Sequence, residues 1–148
     1  MSRLTAEQLD GPFYLDASAA IKLVLDEPES RALQEYVGRP GGKASSSELL
    51  IAELTRALRR RAAAAGIPEQ RLLEAAGDLL KGMHLVTLDR EVVIAAGRLD
   101  PALLRTLDAV HVVSAVKIGG VSSFVSYDRR QLHAARTAGL QTASPGAV

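Results

Sequence analysis

Four acidic residues occupy positions in this sequence that surface solubility does not explain. Asp16 ends a short apolar run that we predict to be a buried strand, and Asp128 lies just beyond another predicted strand, Ser123–Ser126. Asp108 opens an otherwise apolar predicted helix, and Glu53 lies inside the longest predicted helix. Because ligands bind at the carboxyl ends of parallel strands, we expect Asp16 and Asp128 to meet at that edge.

The three aspartates also suit a simpler role. Each precedes a predicted helix, where aspartate is a favoured N-cap because its carboxylate accepts hydrogen bonds from free backbone N–H groups. Glu53 does not suit that role, because its helical neighbours are apolar: Leu49, Leu50, Leu54, Ala57 and Leu58. A carboxylate on an apolar stripe is costly unless a cation meets it, and Arg56 or a neighbouring arginine is the partner that the sequence offers.

Bringing four carboxylates together is unfavourable and therefore indicates a cation. Two unit charges ~4 Å apart repel by ~4 kcal/mol at an effective dielectric of 20. Such a cluster either takes up protons or holds a divalent cation. The chain has no cysteine and no histidine spacing typical of zinc, so oxygen ligands favour Mg²⁺, with Mn²⁺ as a substitute. A divalent cation beside a phosphodiester activates water and stabilises the leaving oxygen, which is the chemistry of phosphodiester hydrolysis.

We interpret His111, which has apolar neighbours, as a packed and hydrogen-bonded residue.

The elements that must position these residues alternate along the chain. Apolar runs predict strands at 13–15, 43–46, 84–87, 123–126 and 139–142. Periodicity and capping signals predict helices at 18–25, 28–37, 47–65, 68–82, 91–99, 108–118 and 129–138, with a short further helix starting at Asp100. Ser45 and Glu48 have capping-box spacing at the start of the longest helix. This alternation predicts one α/β domain with a twisted, mostly parallel sheet of four or five strands flanked by helices.

The composition fits one globular domain of 148 residues, of which 47% are hydrophobic and 24% charged. We interpret residues 1–11 as a short N-terminal arm and residues 12–148 as the domain, because Asp10-Gly11-Pro12 is a turn signal. No apolar run reaches the ~18 residues of a membrane span, and the first residues lack a signal-peptide pattern. The cytoplasm is therefore the expected compartment. With a net charge of +1, the chain can meet a polyanion only through a local basic patch.

Arginines near the acidic residues are candidates for such a patch. Arg129 and Arg130 directly follow Asp128, where they can reach substrate phosphates. Arg56 starts a second cluster that includes the run Arg59–Arg61. This cluster either contacts a nucleic-acid backbone or solvates the end of its helix.

Four segments, in order, resemble the signature blocks of PIN-domain ribonucleases, and most closely those of VapC-like toxins from type II toxin–antitoxin pairs. The blocks are Tyr14–Ala19, Ser47–Leu54, Leu107–His111 and Ser126–Leu132. The resemblance implies four catalytic and metal-binding residues, which we call the acidic quartet: Asp16, Glu53, Asp108 and Asp128. It also implies supporting roles for Ser18 and Ser126, the latter at a position where the family commonly has Thr or Ser.

The same resemblance implies a PIN-like fold and an Mg²⁺-dependent endoribonuclease that acts as the toxin of a VapBC pair and hydrolyses RNA. It implies a VapB-like antitoxin partner, whose arginine or lysine can enter the acidic pocket. Three predicted helical stripes either offer an apolar groove for the antitoxin and for self-association, from which we expect a homodimer, or belong only to the core. The stripes are Ala19–Leu25, Leu33–Val37 and Leu49–Leu58.

Two alternatives stay open, namely a PIN-fold nuclease without a toxin role and a catalytically inactive module that binds RNA or protein. A phosphoacceptor domain fits less well, because the resemblance to such domains would require two adjacent acidic residues after the first strand. Here Asp16 is followed by Ala17 and Ser18, and no lysine occurs after Lys117.

Overall fold

The computed structural model of the chain describes residues 11–39 and 41–148. Within these residues, five strands form one sheet in which every pair of neighbours is parallel. The strands are β1 (Phe13–Leu15), β2 (Ala44–Ser47), β3 (His84–Val86), β4 (Ser123–Val125) and β5 (Thr142–Ala143).

Seven helices connect these strands in the described part of the chain. They are α1 (Ala17–Val24), α2 (Ser30–Val37), α3 (Leu49–Ala65), α4 (Glu69–Lys81), α5 (Arg90–Arg98), α6 (Thr106–Ile118) and α7 (Arg129–Thr137). The α/β prediction, with a parallel sheet of four or five strands flanked by helices, is confirmed.

The strand order β3-β2-β1-β4-β5 places the first strand in the middle of the sheet. The chain builds one half of the sheet outward from β1 through β2 to β3, and then crosses back to add β4 on the other side of β1. The carboxyl ends of β1 and β4 are therefore neighbours at the point where the strand order reverses. This switch point is where open α/β sheets leave a crevice for a ligand.

Helices cover the sheet on both faces because the central strands are apolar on both. Phe13 and Leu15 of β1 share a buried cluster with α1 and α2, whereas Tyr14 shares another with Phe124, α6 and α7. A third cluster joins α1, α3 and α4. Strand β2 is built from serines, whose hydroxyls bond within the sheet; Ser46 Oγ, for example, donates to the Leu15 carbonyl over 2.7 Å.

Two local predictions are wrong. Ser45 does not cap α3, because β2 continues past it and its hydroxyl donates to the Phe13 carbonyl over 2.6 Å. The hydroxyl beside the start of α3 is that of Ser47, which accepts from the Leu49 N–H over 3.0 Å. The short helix expected from Asp100 is a turn, closed by a single bond from the Leu104 N–H to the Pro101 carbonyl over 3.0 Å.

The predicted N-terminal arm falls almost entirely on residues 1–10, which lie outside the described residues. Among the helices that are described, none has the length and apolar character needed to span a membrane. The helical stripes proposed as an apolar groove contribute six residues to the core, while residues 21–25 and 36–37 are half-buried and Ile51 is exposed. The fully buried residues are Ala19, Ala20, Leu33, Leu50, Leu54 and Leu58.

Candidate active site

A cavity of about 380 Å³ lies at the switch point between β1 and β4. All four members of the acidic quartet line it. The fold therefore brings side chains from four separate segments to one cavity. Other side chains that line the cavity are Ser18, Arg105, His111 and Gln131.

Asp16 is placed by the junction of β1 and α1, and it is only 1% exposed. Its Oδ1 caps α1 by accepting from the Ala19 N–H over 2.9 Å, and it also accepts from the Ser18 hydroxyl over 2.7 Å. Its Oδ2 accepts from the Ser126 hydroxyl over 2.5 Å. Burial raises the pKa of Asp16, and the Ser126, Ser18 and Ala19 hydrogen bonds partly oppose that rise. The hydrogen bonds therefore do not fully compensate for the loss of hydration of the ionised carboxylate.

Ser18 and Ser126 tie Asp16 to the loop after β4. Ser18 Oγ accepts from the Tyr127 N–H over 3.0 Å while it donates to Asp16. Ser126 Oγ accepts from the Asp128 N–H over 3.0 Å while it donates to Asp16. Each hydroxyl thus links the first carboxylate of the quartet to the segment that carries the last.

Asp128 caps α7 and faces the cavity at the same time. Its Oδ1 accepts from the backbone N–H groups of Arg130 and Gln131 over 2.9 and 3.3 Å. Its Oδ2 accepts from an Nη of Arg105 over 3.4 Å. The capping role and the site role, which the sequence presented as alternatives, are both fulfilled by one side chain.

Asp108 does not open its helix, contrary to the prediction. Helix α6 begins at Thr106 with Arg105 as the N-cap residue, so Asp108 lies in the first turn. Its Oδ2 accepts from Arg105 Nε over 3.2 Å. Burial raises the pKa of Asp108, the Arg105 charge lowers it, and the nearby Asp128 charge raises it again.

Glu53 projects from α3 toward α6 rather than toward an arginine. Its Oε1 lies 2.5 Å from His111 Nε2, and the other ring nitrogen of His111, Nδ1, lies 2.8 Å from the Tyr14 hydroxyl. Burial raises the pKa of Tyr14, so its phenol keeps its proton and can donate to His111. The interpretation of His111 as a packed, hydrogen-bonded residue agrees with this geometry, whereas the suggested arginine partner for Glu53 is wrong.

The three arginines predicted to bind substrate are exposed and do not line this cavity. Arg56 lies with Arg59 and Arg60 beside a separate surface depression. Arg129 and Arg130, the first residues of α7, line another depression together with His133. All three remain candidates for contact with a substrate that extends beyond the cavity.

Sequence reasoning missed Arg105 and the role of His111. Arg105 and Asp108 have the spacing of neighbours on one helical turn, which is a signal the sequence contains. Gln131 also contributes, because its Nε2 donates to the Asp108 carbonyl over 3.3 Å and so joins α7 to the start of α6.

The donor set fits Mg²⁺ or Mn²⁺, although it does not form a closed cage. Within residues 11–39 and 41–148, no three His, Asp or Glu side chains converge closely enough to hold one ion between them. Mg²⁺ is commonly held by one or two carboxylates together with several waters, so a full protein cage is not required. The cavity already attracts positive charge, since Asp108 and Asp128 share one guanidinium.

Comparisons with known proteins agree with this arrangement. The family model for the PIN domain matches residues 13–137. Ribonuclease VapC47 of Mycobacterium tuberculosis is 39% identical over 139 residues, which cover 91% of this chain and 98% of that protein. Ribonuclease VapC46 of the same organism is 40% identical over 133 residues, covering 89% and 96%. Ribonuclease VapC35 is 33% identical over 137 residues, covering 90% and 96%. Since both the family match and these relatives span nearly the whole chain, and the acidic quartet meets in one cavity, the chain belongs to the PIN-domain family and is VapC-like.

Proposed function

We propose that this protein is a divalent-metal-dependent endoribonuclease that acts in the cytoplasm as the toxin of a VapBC-type pair. The observation that carries the proposal is the convergence of the acidic quartet on one cavity at the switch point of the sheet. The curated relatives are named as ribonucleases, and their matches cover 89 to 91% of this chain and 96 to 98% of their own length. Acidic oxygen donors at such a position suit cleavage of a phosphodiester bond.

The chain's own residues divide the work. Asp16 and Asp108 are the proposed direct ligands of Mg²⁺ or Mn²⁺, with Glu53 and Asp128 completing the acidic pocket directly or through water. When bound, such a cation supplies an activated water and stabilises the leaving oxygen. Ser18 and Ser126 hold Asp16 in place by the hydrogen bonds described above. Arg129, Arg130 and Arg56 are the proposed contacts for RNA outside the cavity, through charge-assisted bonds to phosphates.

RNA cleavage by the purified chain, with Mg²⁺ and with EDTA, tests the enzymatic part of the proposal. Asp16→Asn should reduce cleavage at least ~10²-fold, because the isosteric amide removes a ligand charge. Asp89→Asn is the matched control: Asp89 also caps a helix, with its Oδ1 accepting from the Val92 N–H over 2.9 Å, but it does not line the cavity. Near-wild-type turnover by Asp16→Asn, or equal cleavage in EDTA, would contradict the proposal. Wild-type protein that binds RNA without cutting it would favour the inactive-module alternative.

A VapB-like antitoxin is the proposed partner, together with RNA as the substrate and a second copy of the chain in a homodimer. Part of the helical stripes suggested for these contacts belongs to the core, so the proposed contacts use the apolar side chains that stay exposed. Among the described residues, these include Ile51, which lies in the third stripe, and Val93 and Ile94; the three are 47 to 52% exposed.

Expression of the chain alone and together with a VapB-like antitoxin tests the toxin role. Growth arrest by the chain alone, relieved by co-expression and by Asp16→Asn, is the expected result. Harmless expression of an active nuclease that captures no partner and stays monomeric by light scattering would instead support a PIN nuclease without a toxin role.

A further inference from the structure

Arg105 is the only arginine or lysine among the described residues that line the acidic cavity. Its Nε lies 3.2 Å from Asp108 Oδ2, and one of its Nη atoms lies 3.4 Å from Asp128 Oδ2. One guanidinium edge therefore spans two members of the acidic quartet that come from different helices, 20 residues apart in sequence.

This contact offsets a repulsion that the fold creates. The charge of the nearby Asp128 disfavours the ionised form of Asp108, and the Arg105 charge acts in the opposite direction on Asp108. A planar guanidinium suits this position because its neighbouring N–H groups can donate to two carboxylates at once. The metal-free cavity is thus partly neutralised by the chain itself.

The same contact can be released at little cost. The Arg105 side chain is 72% exposed, whereas the Asp108 and Asp128 side chains are 16% and 29% exposed. An exposed arginine paired through long, solvent-screened contacts is held weakly, and its side chain regains rotamer freedom when it leaves. The two aspartates, in contrast, are positioned by the backbone of α6 and by the cap of α7.

We propose that Arg105 is a built-in counter-cation of the active site, which holds Asp108 and Asp128 together in the metal-free protein and leaves them when a divalent cation binds. This inference rests on the proposed function, since it takes the cavity to be the place where that cation acts. It adds that Arg105 competes with the cation for the same oxygens, and so sets the metal concentration at which the enzyme becomes active.

Mn²⁺ binding to the full chain, followed by the electron paramagnetic resonance signal of free Mn²⁺ in the absence of RNA, tests the proposal. The variants are Arg105→Gln, which removes the charge, and Arg105→Lys, which keeps it. Arg98→Gln is the control, because Arg98 is exposed on α5 and lies away from the cavity. Circular dichroism and thermal melting in EDTA establish that each variant is folded.

Arg105→Gln should bind Mn²⁺ about 3- to 10-fold more tightly than the wild type, because a competing positive charge has left the site. Arg105→Lys and Arg98→Gln should stay close to the wild-type affinity. Unchanged or weaker Mn²⁺ binding by folded Arg105→Gln, with a wild type that binds Mn²⁺ and cleaves RNA, would overturn the counter-cation role alone. A wild type that neither binds Mn²⁺ nor cleaves RNA would overturn the proposed function, and this inference with it.

Discussion

Asp16 and Asp128 each use one carboxylate oxygen to cap a helix and present the other to a partner across the cavity. Each cap is a strong local constraint, because the backbone N–H groups of a helix start fix the position of the oxygen that they contact. In the proposed enzyme, a carboxylate held in this way does not need to be ordered when a substrate arrives. The helix cap therefore supports the proposed role of each aspartate in the site.

Replacing Asp16 by Asn should make the metal-free protein more stable relative to the wild type as pH rises. Burial raises the pKa of Asp16 above its ordinary value of 3.8, so the folded protein keeps a proton that the unfolded chain has lost. The wild type therefore loses stability as pH rises from the ordinary value through the folded one, and the amide variant does not. Urea unfolding in EDTA at several pH values between about 4 and 8 measures this difference.

Asp89→Asn provides a control with the opposite sign. Lys117, and then the Val92 N–H, lowers the pKa of Asp89, so ionised Asp89 contributes stability above its unfolded pKa that is lost as pH falls. This variant should therefore lose stability relative to the wild type as pH rises toward the ordinary value of 3.8, and the difference should stay level between about pH 4 and 8. A parallel trend for Asp16→Asn and Asp89→Asn would contradict the assignment of a raised pKa to Asp16.

Tyr14→Phe should lower the free energy of unfolding by about 1–3 kcal/mol, because it leaves His111 Nδ1 buried without its partner. His111 is 1% exposed, so water cannot easily replace the hydroxyl. Tyr127→Phe is the matched change, since the Tyr127 hydroxyl donates to the Pro145 carbonyl in a partly buried setting and its loss should cost less. Equal stability of Tyr14→Phe and the wild type in urea unfolding would show that the Tyr14–His111–Glu53 chain contributes nothing to the fold.

At the scale of elements, helix α3 both packs into the core and positions the Glu53 carboxylate, using neighbouring residues for the two roles. Leu50, Leu54 and Leu58 are fully buried and hold the helix against α1 and α4, while Glu53 lies at the margin of this stripe with its side chain 17% exposed. The packing of the leucines therefore sets where the Glu53 carboxylate sits relative to α6. A glutamate at this margin reaches His111 without entering the core.

Leu54→Ala should destabilise the protein by about 2–5 kcal/mol, because it removes a buried side chain and leaves a cavity. Ile51→Ala, on the same helix but 47% exposed, should cost much less. Urea unfolding of both variants gives the comparison. Similar losses for the two would mean that the buried face of α3 does not anchor the helix.

At the scale of the whole molecule, the site exists because the sheet reverses its strand order at β1. That reversal brings the ends of β1 and β4 together, and Glu53 of α3 and Asp108 of α6 add the other two carboxylates. The four segments are far apart in sequence, so the acidic pocket forms only when the chain has folded. Binding of a metal in this pocket, as proposed above, would therefore be coupled to folding.

Mg²⁺ or Mn²⁺ should raise the melting temperature of the wild type. Binding to the folded state alone contributes about 2.7 kcal/mol at ~100-fold excess over the dissociation constant. Thermal melting with Mg²⁺ and with EDTA measures the shift. It should be lost in Asp108→Asn and kept in Asp89→Asn, whose changed residue lies outside the cavity. A shift of equal size in both variants would place the bound cation elsewhere.

The sequence predicted the positions of residues that cap a helix, follow a strand or lie on one face of a helix. Asp16 after a buried strand and Asp128 before a helix are local signals, and so is the apolar stripe that makes Glu53 costly. The order of strands and helices follows from the same short-range patterns, because hydrophobic period and turn residues act within a few positions. The capping box at Ser45 was wrong because the strand continues to Ser47 and the Ser45 hydroxyl donates to the Phe13 carbonyl of the neighbouring strand, a contact that depends on sheet pairing.

The partners of the site residues were decided by the tertiary structure. Glu53 and His111 are 58 residues apart, Tyr14 and His111 are 97 apart, and Arg105 and Asp128 are 23 apart. Such pairs depend on strand order and helix packing, which no local period encodes. The same packing buried six residues of the helical stripes suggested as a docking groove and left Arg56, Arg129 and Arg130 outside the cavity. The sequence by itself therefore determined which carboxylates were candidates for a shared site. The fold determined that the Arg105 guanidinium lies between Asp108 and Asp128.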